Sequence, residues 1–308
     1  MVTKKEVKKS ATELIRKIIL GIAIIILVGT SAYLINAYII EPFKHHQNGD
    51  DTTVTDEHNT GTTIIDGKND AIQSKYSALL KINPDFAGKL YIEAIEETGF
   101  NVVQAEDNTK YLNLGFKGET TRYGTLFVDY RNNIKDFNTN TIIYGHNMRD
   151  GAQLGSLSIY KDIESYQAYP TLEFNTIYSN HKWKIFAAFI SNGNKRQDNG
   201  YEFPYLTTNF PSEEKFLEFI DEVKERSYYI NDAVDIKPGD KILTLSTCDT
   251  VFDDARFIVM ARLVRDGESA EVDTSKAKVN ENQRFPQAWY DAKGKKNPFR
   301  NADKYTID

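Results

Sequence analysis

The sequence predicts a mainly β fold, a closed barrel or sandwich of eight strands with helical insertions, preceded by one transmembrane helix. Three observations carry that expectation. Eight short runs between residues 89 and 264 are rich in β-branched and aromatic side chains. Helical periodicity is confined to short stretches around and between them. Residues 18–40 form an apolar run without a charged side chain.

That apolar run, Ile18 to Ile40, is long enough to span a bilayer. At about 1.5 Å per residue it covers the ~30 Å hydrocarbon thickness, and only a helix satisfies its own backbone there. Lys4, Lys5, Lys8, Lys9, Arg16 and Lys17 precede it, while Glu41 and Pro42 follow. The positive-inside rule then puts residues 1–17 in the cytoplasm and everything after residue 40 outside. The alternative is a cleaved secretory signal, with Ala32 or Ala37 imitating the cleavage site. Its apolar region normally runs about 7–15 residues, shorter than this one, and it too exports the chain. Residues 41–68 are rich in Thr, Asp, Asn and Gly and predict a flexible linker. His45, His46 and His58 fall in it and read as solvated linker residues rather than metal ligands.

From residue 69 the composition changes to that of a folded domain, 69–265. Ile72, Tyr76, Leu79 and Leu80 are at helical spacing, with Asn69 or Asp70 as a cap and Pro84 behind. Strands are predicted at 89–95, 100–104, 124–130, 141–144, 171–178, 183–191, 241–247 and 257–264. Helical patterns occur at 154–165 and 212–226. In the second, Ser212 suits the cap, Glu213 and Glu214 suit the first turn, and Phe216, Leu217, Ile220 and Val223 form the apolar stripe. Residues 266–308 are polar and mixed in charge, with Phe285, Trp289, Tyr290, Phe299 and Tyr305 as their larger apolar groups. Packing on the barrel and trailing as a tail both remain open for this extension, and its role is unassigned.

Composition narrows the chemistry. The 308 residues are 40% hydrophobic, enough for a sizeable core, and 38 basic against 44 acidic groups leave a formal charge of −6. No general polycation offers itself to nucleic acid, which is not expected as a partner. One cysteine excludes an internal disulfide and a Cys-rich zinc site, and neither a metal nor a cofactor is expected.

That cysteine, Cys248, ends the run Lys241-Ile-Leu-Thr-Leu-Ser-Thr-Cys, so an alternating strand delivers a thiol to its C-terminal edge. A free cysteine often serves only as a small buried hydrophobe. In an exported chain with a distant histidine it is also a candidate nucleophile. The nucleophile is the thiolate, so a neighbouring cation or base has to assist. His146, in Tyr144-Gly-His-Asn-Met after a strand, is the preferred partner, with Gly145 allowing a tight backbone. His181 is the other candidate and reads as an exposed turn residue. Arg256 follows Cys248 by eight positions, and a short connection between two strands brings it back beside the thiol as an oxyanion donor. A salt bridge to Asp253 or Asp254 is the equally weighted alternative. Arg262 and Arg265 read as solvent-facing.

Taken together, Tyr144-Gly-His-Asn-Met, Thr244-Leu-Ser-Thr-Cys and Arg256 resemble the sortases, class B in particular. Lys110-Tyr-Leu-Asn-Leu-Gly-Phe-Lys-Gly, Gly124-Thr-Leu-Phe-Val-Asp-Tyr-Arg-Asn and the helix at 212–226 add to the likeness, which covers about residues 69–265. The resemblance implies an eight-stranded sortase-type β-barrel and a cysteine transpeptidase. Its Cys248 would attack the Thr carbonyl of an NPxTG-like sorting signal in surface proteins, His146 would protonate the leaving amide, and Arg256 would hold the oxyanion. Ser246 matches a substrate-contacting position. An amine of peptidoglycan or its precursor would resolve the thioacyl enzyme. The implied location is the cell membrane of a Gram-positive-type envelope, single-pass, with the catalytic domain on the extracellular face. Two alternatives stand beside it: a cysteine endopeptidase using water, and a non-catalytic surface binding module.

Overall fold

The computed structural model describes residues 64–65 and 71–308. The predicted cytoplasmic segment 1–17, the membrane helix 18–40 and nearly all of the linker 41–68 lie outside the described residues. Among the described residues, no helix is long and apolar enough to cross a membrane.

Eight strands close into a barrel: β1 (Phe86–Ile92), β2 (Glu96–Val103), β3 (Leu126–Val128), β4 (Asn140–Tyr144), β5 (Thr171–Thr176), β6 (Lys182–Asn192), β7 (Ile242–Cys248) and β8 (Ala255–Leu263). Their order round the barrel is β7-β8-β6-β5-β1-β2-β3-β4, with β4 returning to pair with β7. Most pairs are antiparallel, but β2 with β3 and β4 with β7 are parallel. Each predicted strand is present, with ends displaced by a few residues.

β6 explains why some of these strands do not alternate in sequence. Its residues 183–192 are all buried. Ile185, Ala188 and Ile190 point into the barrel core, whereas Phe186, Ala187 and Phe189 join a second cluster on the outer side. A strand covered on both faces reads as a continuous apolar run.

The outer cover is helix α3 (Glu213–Arg226), preceded by α1 (Ser77–Ile82) and α2 (Ile163–Ala168) and followed by α4 (Gln287–Ala292). Ser212 caps α3 as expected, its side chain accepting from Lys215 N at 3.1 Å. Phe216, Phe219, Ile220 and Val223 are its buried face, while Leu217 is only partly covered. Each such side chain contributes about 1.5–3 kcal/mol by leaving water, an upper bound given a compact unfolded chain. Phe203 stacks on Phe219 at 5.3 Å, extending the cover along residues 201–210.

Several expectations need correction. The stretch 154–165 is not one helix but a 3-10 turn, Gly155–Lys161, followed by α2 with Asp162 as its cap. α1 begins after a 3-10 turn at Ser74–Tyr76, with Tyr76 at its N-cap position and no side-chain cap; the expected cap residues Asn69 and Asp70 lie outside the described residues. Ile64–Ile65, at the end of the predicted linker, pair with Ala71–Ile72. Arg262 is fully buried, not solvent-facing: Glu268 takes its guanidinium with two bonds of 2.6 and 2.7 Å. Arg265 is partly covered by Asp235 and Asp240. His181 is half-buried against the edge of Phe137, 4.8 Å between ring centres, and burial lowers its pKa.

Residues 266–308 pack on the domain rather than trailing. Lys278–Val279 pair with Tyr229–Ile230. Tyr305 is buried against Phe203 and Phe219 and donates to Lys215 O at 2.9 Å. Arg284 lies between Glu222 and Glu225 on α3.

Candidate active site

β4 and β7 run parallel, with Thr244 opposite Ile142 and Ser246 opposite Tyr144. Side chains alternate along a strand. Leu243, Leu245 and Ile143 enter the barrel core, so Thr244, Ser246 and Cys248 share the outer face with Ile142 and Tyr144. Continuing that register by two residues brings His146 to the level of Cys248. The ladder extends beyond the strand end, since Gly145 N donates to Ser246 O at 3.2 Å. Asn147 then donates from Nδ2 to Cys248 O at 2.8 Å. Two segments 101 positions apart are thus held edge to edge.

Arg256 enters from the other side. β7 and β8 are antiparallel neighbours, and Cys248 is directly opposite Arg256. The guanidinium Nη1 lies 3.7 Å from Cys248 Sγ and 3.2 Å from Ala255 O. Neither Asp253 nor Asp254 pairs with it among the described residues, so the salt-bridge alternative does not hold. Gly193, after β6, leaves room for this group: a Cβ there would stand 3.2 Å from both Cζ and Nη2 of Arg256.

The thiol is exposed, as a nucleophile requires. Ser246, two residues back, is buried, with its Oγ 3.2 Å from the hydroxyl of Tyr205. Burial raises the Tyr205 pKa, keeping that phenol protonated as a hydrogen-bonding group.

His146 Nε2 is 2.7 Å from Leu112 O. A carbonyl only accepts, so Nε2 carries hydrogen and Nδ1 is the nitrogen left for proton exchange. Beneath it, Tyr144 donates to Asp129 Oδ2 at 2.9 Å. Burial pushes the Asp129 carboxyl up, but bonds from Arg131, Tyr144 and Asn108 outweigh it and hold the pKa below the ordinary value. Gly145 serves packing, because a Cβ would meet Leu154 Cγ at 2.7 Å, and its φ lies outside the left-handed region. His181, the other histidine candidate, is engaged elsewhere with Ser179 and Phe137.

A sortase-domain model matches residues 90–264, which run from within β1 to just past β8. The chain belongs to the sortase family, class B. Sortase B of Listeria monocytogenes is 33% identical over 72% of this chain and 86% of its own. Sortase B of Staphylococcus aureus is 31% identical over 63% of this chain and 76% of its own. Among solved structures, the S. aureus sortase B–substrate complex superposes with a TM-score of 0.56 at 31% identity, covering 63% of this chain and 86% of the other. Sortase B of Clostridium perfringens gives a TM-score of 0.56 at 29% identity, over 61% of this chain and 98% of the other. This sortase is therefore a cysteine transpeptidase of the surface-protein anchoring kind, built on the eight-stranded barrel of that family. Residues 266–308 follow the matched region.

Asn147 and Leu112 lie inside the motifs quoted from sequence, where neither has a role of its own. Adjacency to His146 is a signal for the first; nothing in sequence marks a carbonyl as the imidazole's partner for the second. Gly193 and Tyr205 escape sequence reasoning altogether, because both reach the site from the connection after β6. Among the described residues, no cluster of His, Cys, Asp and Glu suits a metal.

Proposed function

We propose that this sortase cleaves an NPxTG-like sorting signal in surface proteins and transfers the acyl group to a peptidoglycan amine. The observation that carries the reading is the outer-face juxtaposition of Cys248 Sγ with Arg256 Nη1 at 3.7 Å, with the β4–β7 register, continued by two residues, bringing His146 level with Cys248. The Cys248 thiolate attacks the Thr carbonyl, and the tetrahedral oxyanion collapses as the C–N bond breaks. His146 gives a proton to the departing amine, leaving a thioester on sulfur. Arg256 supplies charge where the oxyanion forms, a contribution of about 3 kcal/mol for such a donor. An acceptor amine then attacks the thioester and passes one proton to His146 as the C–S bond breaks, which frees the Cys248 thiolate and restores the protonated imidazole. Ser246 lies below this site and contributes through its hydroxyl to substrate contact. The uncharged run 18–40 anchors the enzyme in the membrane with its catalytic domain outside the cell.

The test is incubation of the full-length protein with an NPxTG-type peptide and an oligoglycine amine. The reading expects an amide-linked product, abolished in Cys248→Ala. Hydrolysis alone across a range of amines would make the enzyme an endopeptidase, and no turnover with an unreactive thiol would leave a binding module.

A further inference from the structure

Asp249, immediately after Cys248, begins the β7–β8 connection and is tied at three points. Its N–H donates to Ala255 O at 2.8 Å, its Oδ1 accepts from Val251 N at 2.9 Å, and its Oδ2 accepts from Lys161 Nζ at 2.5 Å. Side-chain exposure is only 6% for Asp249 and 32% for Lys161. A carboxylate so far from water requires a cationic partner, because an unpaired buried charge is strongly destabilising. Lys161 also stands 5.2 Å above the Phe257 ring, which fixes the ammonium laterally.

The location of Lys161 matters as much as its charge. It ends the 3-10 turn Gly155–Lys161, whose Leu157 and Tyr160 are fully buried in the barrel core. That turn starts beside Leu154, whose N–H donates to His146 O at 3.0 Å. The segment carrying the histidine is thus rooted in the core and reaches the cysteine segment twice. Asn147 takes the carbonyl of residue 248, and Lys161 takes the side chain of residue 249.

We propose that Lys161 and Asp249 form a positioning pair that pins the cysteine end of β7 to the histidine-bearing segment, setting Sγ against Arg256 and His146. The proposal rests on Cys248 acting as nucleophile. Neither residue touches substrate; both act through the backbone at Cys248. A loosened connection lets the sulfur wander, and misplacement by about 1 Å can cost 100-fold in rate.

The experiment uses the full-length enzyme with Lys161→Arg, Asp249→Asn and the double variant Lys161→Met/Asp249→Asn. The double variant leaves no buried charge unpaired, and its melting temperature reports whether it folds. We expect it to fold, to lose roughly 10- to 100-fold in kcat with KM changed less than about 3-fold, and to alter the iodoacetamide alkylation rate of Cys248. Lys161→Arg should stay within about 5-fold of wild-type kcat, since it keeps the charge. Asp249→Asn should resemble the double variant, the two losses not multiplying. A folded double variant with wild-type kcat and alkylation rate overturns the proposal, as does an Arg variant as impaired as the double. Alkylation is read without any sorting peptide, so an error about transpeptidation leaves this arm intact.

Discussion

Gly193→Ala isolates the contribution of Arg256 placement without touching its charge. An added Cβ would sit 3.2 Å from Cζ and Nη2 of Arg256 and 3.0 Å from Asp254 O. Those separations are a few tenths of an ångström below ordinary carbon contacts of about 3.5–4.0 Å, so the guanidinium must give way. It then leaves the position from which Nη1 meets Cys248 Sγ at 3.7 Å. A hydrogen bond to a charged group is worth about 1.5–3 kcal/mol, and losing half of it in the transition state costs about 0.8–1.5 kcal/mol. That is roughly a 4- to 12-fold fall in kcat. The assay is transfer of an NPxTG-type peptide to oligoglycine, with Arg256→Ala beside it. Removing the whole donor should cost about 100- to 1000-fold. The double variant should be no slower than Arg256→Ala alone. A wild-type kcat in Gly193→Ala, or fully multiplicative losses in the double variant, would refute the reasoning.

Acid stability should depend on Glu268. Its bonds to Arg262, and secondarily to Lys184, depress its pKa well below the ordinary 4.5 despite partial burial. A depressed carboxylate stabilises the fold above the unfolded value and loses that contribution as pH falls below about 4.5. Glu268→Gln should therefore lower the melting temperature at pH 7 and flatten its decline between about pH 4.5 and 2, which thermal melts across pH will read. Tyr305→Ala should cost about 3–4 kcal/mol in chemical denaturation, since it removes a buried ring packed at an angle against the stacked Phe203 and Phe219 and the bond to Lys215 O. An effect below about 1 kcal/mol would mean that the C-terminal extension does not brace α3.

What could be read from sequence follows the range of the interactions. The Ser212 cap and the buried stripe of α3 are local, and a few residues suffice to place them. Cys248 and Arg256 are opposite each other because a short connection joins adjacent antiparallel strands, which spacing alone suggests. The His146–Cys248 juxtaposition depends on the parallel β4–β7 pairing, a contact between distant stretches of chain that only the likeness to sortases supplies. Arg262 misleads because a lone arginine on a strand normally faces water, and Glu268, which makes its burial tolerable, comes from beyond the strand end. The 3-10 geometry of 155–161 is invisible for a related reason: its apolar residues satisfy helical spacing, but they fill the end of a barrel instead of a helix groove.

In the proposed reaction a single sulfur carries the acyl group between donor and acceptor. Intact-mass measurement of the full-length enzyme mixed with an NPxTG-type peptide, before any amine is added, tests it most directly. A mass increase equal to the acyl fragment is expected on Cys248, cleared when oligoglycine is supplied and never seen in Cys248→Ala. Peptide turnover that persists in Cys248→Ala, with no adduct on the wild-type protein, would contradict it.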